Sequence, residues 1–205
     1  MGFFKKILEK PWLPPEGNVV DLHTSYFTAT NRKVALVLFL CVVGVLFFLL
    51  FSAYHMRKAF STDWVSTPEP WLIWFNTLVL FVVSGAFEWA RAALPKEQID
   101  AVRVRFITAG VLTFVFLVLQ LVAWKQLFDL GYTAQSNPAN AFFYTITGIH
   151  GVHLLGGLIA WYRAIRYIKV DGSFTRMKNA IDQCALYWHF LLFVWVAMVG
   201  LFITS

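Results

Sequence analysis

Three histidines, His150, His153 and His189, lie inside strongly apolar stretches of this 205-residue chain. An imidazole in such a setting needs a hydrogen-bond partner, a metal or a cofactor. His150 and His153 are three residues apart and share one helix face. Imidazole commonly ligates zinc and haem iron, so a membrane haem or metal site using all three is one reading. Helix arithmetic works against it. His150 lies 12 residues, roughly 18 Å of helix, beyond Pro138, at mid-membrane, whereas His189 sits near the start of the next apolar block. The other reading makes the rings neutral and bonded to neighbouring helices or to another subunit. Gly148, Gly151, Gly156 and Gly157 favour it, because small residues let membrane helices approach closely.

A second polar seam runs through Asn76, Thr77 and Ser84, with Thr77 and Ser84 seven residues apart on one face. Gln120 adds an amide in the third block, and Trp195 an indole in the fifth. Glu88 is the sole acid inside an apolar block, three residues before Arg91, and the spacing predicts an ion pair at the block's end. A proton relay usually needs acids deeper in the span. Asn76, Thr77, Ser84, Glu88, Gln120, His150, His153, His189 and Trp195 are thus expected to make helix-packing or partner contacts. No phosphate loop, Ser/His/Asp set or cysteine nucleophile is visible in the sequence. Cys41 and Cys184 read as small structural residues. The chain is expected to carry no catalytic, cofactor-binding or metal site of its own.

The elements that must position these groups follow from composition. Hydrophobic residues make up 59% of the chain and charged residues 14%, which is too apolar for a soluble domain of this length. Five blocks, about 34–56, 70–93, 103–125, 138–162 and 183–203, each reach the roughly 20 residues that a bilayer core requires. Only helices or closed barrels satisfy their backbone in lipid, so an all-α bundle of five transmembrane helices is expected. Residues 34–205 would form that domain, and residues 1–33 an arm opening with a short amphipathic helix over Gly2–Lys10.

Basic residues give the orientation. Lys5, Lys6, Lys10, Arg32, Lys33, Arg91, Lys96, Arg103, Arg105, Arg163, Arg166, Lys169, Arg176 and Lys178 fall on one side, and only Arg57, Lys58 and Lys125 on the other. The positive-inside rule then places the N-terminus in the cytoplasm and the C-terminus outside. Trp64, Trp71, Trp74, Trp124, Trp161, Tyr162, Tyr187 and Trp188 sit where interfacial aromatic belts are expected.

The segment Phe143-Tyr-Thr-Ile-Thr-Gly-Ile-His-Gly-Val-His153, followed by Tyr187-Trp-His-Phe190 and Val194-Trp195, resembles subunit III of the haem–copper terminal oxidases. Asn76-Thr77, Ser84-Gly85, Trp89-Ala90 and Leu119-Gln120 match weaker motifs of that family, and the likeness covers nearly all of residues 32–203. Five spans in this order look like the short bacterial form. Departures are equally plain. The family usually has an acid near the position of Gly44 or Val45, one near Ala123 and one at Leu192, and here all three are absent.

The resemblance implies a non-catalytic subunit of a cytochrome c or quinol oxidase in a bacterial inner membrane, serving aerobic electron transport and proton translocation. Haem and copper would belong to the partner catalytic subunit I. This chain would stabilise that partner, bind phospholipid and support proton uptake. An accessory protein of a nitric oxide reductase, built on the same fold, is the variant reading. Nothing in the pattern points to nucleic acid.

Overall fold

The computed structural model describes residues 22–62, 64–65, 71–94, 99–170 and 174–204. They form five helices: α1 (Leu22–Phe60), α2 (Leu72–Ala92), α3 (Ile99–Asp129), α4 (Pro138–Val170) and α5 (Phe174–Ile203). All five are long and apolar enough to cross a membrane, and no strand occurs among the described residues. The described residues from Leu36 on form one compact unit. The amphipathic helix expected over Gly2–Lys10 lies outside the described residues.

α1, α3, α4 and α5 outrun the apolar blocks that announce them, whereas α2 lies within its block. α1 is helical from Leu22 onward, and neither glycine nor proline interrupts it before Gly44. α4 continues to Val170 and α5 starts at Phe174, since hydrogen bonding propagates past the lipid-facing segment until a breaker intervenes.

The ends of α2, α3 and α4 have chemical causes. Pro95 follows the last turn of α2, where the Ala93 N–H bonds back to Ala90. α3 closes in a Schellman motif: Tyr132 N–H bonds to Leu127 O at 3.0 Å and Gly131 N–H to Phe128 O at 3.0 Å. Gly131 takes φ +88°, a conformation that costs a side-chain-bearing residue more. Asn137 then caps α4, its Oδ1 accepting from Ala139 N–H at 3.1 Å, with Pro138 at the first helical position. Asn137 also donates from Nδ2 to Val65 O. Tyr144 Oη donates to Tyr132 O at 2.9 Å, which ties the α3–α4 turn to the helix that follows it.

α2 packs on α3 and α5, and α4 on α3 and α5, so these four helices close a ring of contacts. α1 approaches the others mainly through long side chains. Its inward stripe is Leu40, Val43, Phe47 and Tyr54, spaced three, four and seven residues apart. Phe39 stacks on Tyr187, with ring centroids 6.5 Å apart. Tyr54 meets Trp64, Phe142 and Phe202 edge-on at 4.9, 5.6 and 6.1 Å.

Lipid is as apolar as a side-chain core, so packing and hydrogen bonds must hold such a bundle together. Four indoles supply them. Trp195 Nε1 donates to Thr77 Oγ1 at 2.9 Å, Trp188 Nε1 to Thr113 Oγ1 at 2.9 Å and Trp124 Nε1 to Thr147 Oγ1 at 3.2 Å. Each of these threonines donates in turn to the carbonyl four residues back on its own helix, at 2.8, 3.0 and 2.6 Å. Trp161 Nε1 bonds directly to Phe106 O at 2.8 Å. The expected belt thus divides. Trp71, Trp74 and Tyr162 are exposed, whereas Trp188 and Tyr187 are buried, and Trp124 and Trp161 turn their N–H groups into the protein.

The glycines divide as well. A Cβ on Gly157 would lie 2.7 Å from Tyr187 Cε1, and one on Gly110 only 2.0 Å from Trp161 Cε2. Gly151 has nothing within 4 Å, and Gly148 and Gly156 would make ordinary contacts. Close approach therefore rests on Gly157 and on Gly110, which the sequence did not single out. Gly110→Ala must displace the Trp161 indole and break its bond to Phe106 O. Unfolding in detergent should show a loss of about 1–3 kcal/mol, whereas Gly151→Ala should stay within about 0.5 kcal/mol of the parent. Equal effects would show that Trp161 does not need the gap.

Candidate functional site

On α5, four consecutive residues each address a different helix. Tyr187 Oη donates to His153 O of α4 at 2.8 Å. Trp188 bonds Thr113 of α3. His189 meets Ser84 and Glu88 of α2. The Phe190 ring lies against Gly44 of α1, 3.8 Å from where a Cβ would stand. An α-helix turns about 100° per residue, so four successive side chains sweep nearly the whole circumference. Only a helix with neighbours on all sides can use such a run.

At one end of the bundle these contacts extend into a charged ladder. His189 Nδ1 lies 2.5 Å from Ser84 Oγ, and His189 Nε2 lies 2.7 Å from Glu88 Oε1. With Glu88 ionised, Nε2–H donates to the carboxylate. Ser84 then donates to Nδ1 when the ring is neutral and accepts from it when the ring is charged. Arg91 carries the ladder outward, with Nη1 3.2 Å from Glu88 Oε1 and Nε 2.8 Å from Asp182 Oδ1. The Glu88–Arg91 pair is the one the spacing predicts. Asp182, 91 residues further along, completes it and could not be seen from local spacing. Thr77 and Ser84, seven apart on α2, both face α5, one toward Trp195 and the other toward His189.

Ser84, His189 and Glu88 stand in the order of a hydrolytic triad, although the sequence shows no Ser/His/Asp set. The arrangement lacks the rest of that chemistry. Ser84 is 6% exposed, and it sits within a helix whose backbone N–H groups are committed to the helix's own carbonyls, leaving no donors for an oxyanion. What the geometry provides is a tie between α2 and α5.

His150 is different. It is fully buried, and neither ring nitrogen has a protein hydrogen-bond partner. Its neighbours are rings: Trp195 at 5.3 Å, Phe47 at 6.3 Å and Phe116 at 6.4 Å between centroids. His153, one turn on, contacts its own helix through Nδ1 and Ile149 O at 2.8 Å and packs against Phe47 at 5.7 Å and Phe39 at 6.4 Å. On the α1 side these histidines meet phenylalanines. Deeper between α2 and α3, Asn76 Nδ2 donates to Gln120 Oε1 at 2.9 Å, leaving Asn76 Oδ1 and Gln120 Nε2 buried without a partner.

The three histidines do not assemble. Both nitrogens of His189 are engaged by Ser84 and Glu88, while His150 lies in the aromatic box. Among the described residues, no three His, Cys, Asp or Glu side chains come close enough to hold a metal ion. Cys41 is exposed and Cys184 buried, both as free thiols. The residues that sequence reasoning passed over are Thr113, Thr147, Phe106 and Asp182, acceptors whose partners lie 75, 23, 55 and 91 positions away.

Comparison with known proteins gives the family of this bundle. Residues 12–204 match the family model described as cytochrome c oxidase subunit III. The cytochrome c oxidase subunit 3 of Thermostichus vulcanus is 25% identical over 190 residues, covering 91% of this chain and 93% of that one. That of Synechocystis is 27% identical over 172 residues, covering 82% and 72%. A probable cytochrome c oxidase subunit 3 of Nocardia farcinica is 30% identical over 162 residues, covering 76% and 77%. With five spanning helices and a family match over nearly its whole length, the chain belongs to the cytochrome c oxidase subunit III family.

Proposed function

We propose that this chain is a supporting subunit, without a redox centre of its own, of a haem–copper oxygen reductase in a bacterial inner membrane. The observation that carries the reading is the family match from residue 12 to residue 204. The use of the polar groups supports it: indoles, hydroxyls, amides and His189 bind one another across helices. Haem and copper would reside in the catalytic subunit against which the chain packs. A metal or haem site on His150, His153 and His189 is disfavoured, because His189 is committed to Ser84 and Glu88.

The surfaces suit a subunit that meets both lipid and protein. Leu38, Val42, Phe48 and Leu49 of α1 are exposed, as are Leu78, Phe81 and Val82 of α2. Acyl chains or apolar partner helices would cover such faces. The ladder is half-open, with side-chain exposures of 38% for His189, 46% for Glu88, 49% for Arg91 and 33% for Asp182. Charged groups at a span's end need water, headgroups or a polar partner. This end would face the cytoplasm, the side rich in basic residues, and would be where the chain meets its partner and supports proton uptake.

Two measurements test the reading. A mild-detergent pulldown through this chain should bring a multi-span partner and a haem absorption spectrum, with oxygen consumption. A colourless solitary chain would contradict the proposal, and a partner reducing nitric oxide would replace it with the nitric oxide reductase variant. For orientation, cysteines placed at Ser136 and Arg166, both exposed, should differ toward a membrane-impermeant maleimide. Ser136→Cys should react in intact spheroplasts and Arg166→Cys only after lysis. The reverse pattern would invert the topology.

A further inference from the structure

Among the described residues, four of the six buried side-chain atoms without a protein partner belong to Asn76, Gln120 and His150, and His150 packs on Trp195. Its indole packs on His150 and Phe116, with centroids 5.3 and 5.0 Å away, and its N–H bonds Thr77, the residue after Asn76. Phe116 touches His150 and stands one turn before Gln120 on the same face of α3. Helical side chains lean toward their own N-terminus, so Gln120 leans toward the Phe116 turn, where His150 sits.

The unpaired atoms of these three residues are Asn76 Oδ1, Gln120 Nε2 and both nitrogens of His150. A neutral imidazole offers one donor and one acceptor. The amide pair also leaves one acceptor and one donor, and exchanging O and N in both amides only swaps which residue holds which. Donors and acceptors therefore balance. Leaving all of them bare in the centre of a membrane bundle would be costly, because each buried polar group without a partner retains its full desolvation cost. Unpaired buried atoms of both hydrogen-bonding polarities are what a small internal hydration site requires, since a buried water makes about three hydrogen bonds.

We propose that Asn76, Gln120 and His150 form an internal water site at the centre of the bundle, in which ordered water links the α2–α3 amide pair to the α4 imidazole beside Trp195. The ligand is neutral water. The site has no carboxylate, and the rings of Phe47, Phe116 and Trp195 close it. The competing arrangement is dry, with the His150 N–H pointing at the face of Phe47 or Phe116, whose rings stand at 69° and 77° to the imidazole. This proposal does not depend on which enzyme the chain serves.

The test is electron cryomicroscopy of the full chain in its native membrane assembly, in lipid nanodiscs, at a resolution that shows ordered water. The expected map has a peak at about 2.7–3.2 Å from a His150 nitrogen, continuing by hydrogen bonds to the Asn76 or Gln120 amide. A map with well-defined side chains and no such peak overturns the proposal in favour of the dry arrangement. His150→Phe should abolish the peak on the His150 side while the Asn76–Gln120 bond persists, and an unchanged peak would likewise count against it. If that variant does not assemble, the wild-type map alone decides.

Discussion

Everything in this bundle depends on α5 having a neighbour on each side. The run Tyr187-Trp188-His189-Phe190 places a hydroxyl on α4, an indole on α3, an imidazole on α2 and a phenyl ring on α1 within little more than one turn. In water the hydrophobic effect would gather five apolar helices without such guidance. In lipid that driving force is absent between helices, and association rests on close packing and on hydrogen bonds worth about 0.5–2 kcal/mol each. A single four-residue segment that specifies all four partners gives the fold its arrangement. Gly157 complements it, since any side chain there would strike Tyr187 and Trp188.

The same constraint explains why the spans are polar yet chemically quiet. Threonine serves here as an adapter: its hydroxyl donates to its own helix and accepts an indole N–H from the next, so a buried Trp finds a partner without adding charge. The Glu88–Arg91–Asp182 ion pairs and His189 form a ladder that opens to the surface at one end. Near the places where the resemblance led one to expect acids, this chain has Gly44 or Val45, Ala123 and Leu192, with Ala123 fully buried and Phe190 against Gly44. His150 and His153 accordingly face aromatic rings.

Much of this was legible in the sequence, and what was not has a physical reason. Five uninterrupted apolar blocks fix five helices, because lipid allows little else. The Glu88–Arg91 pair follows from helical spacing. The density of histidine, glycine and aromatic residues in 143–157 and 187–190 marks where the bundle is knit. By contrast, Thr113, Asp182 and Gly110 look ordinary locally, and their importance comes only from what the fold brings opposite them. The glycines mislead in the same way. Gly151 belongs to the motif but touches nothing within 4 Å, whereas the isolated Gly110 receives an indole. Several helices run past their apolar blocks because hydropathy reports the lipid-facing length, while helices stop at breakers such as Gly131.

The central claim is that the chain's polar groups hold a subunit together and bind no redox group. The most direct measurement compares the assembled oxidase with the same complex prepared without this chain, recording haem and copper per catalytic subunit alongside sustained oxygen reduction. The account predicts unchanged haem and copper content, with turnover that is lower or fails sooner. Loss of haem or copper in proportion to the missing chain would contradict it.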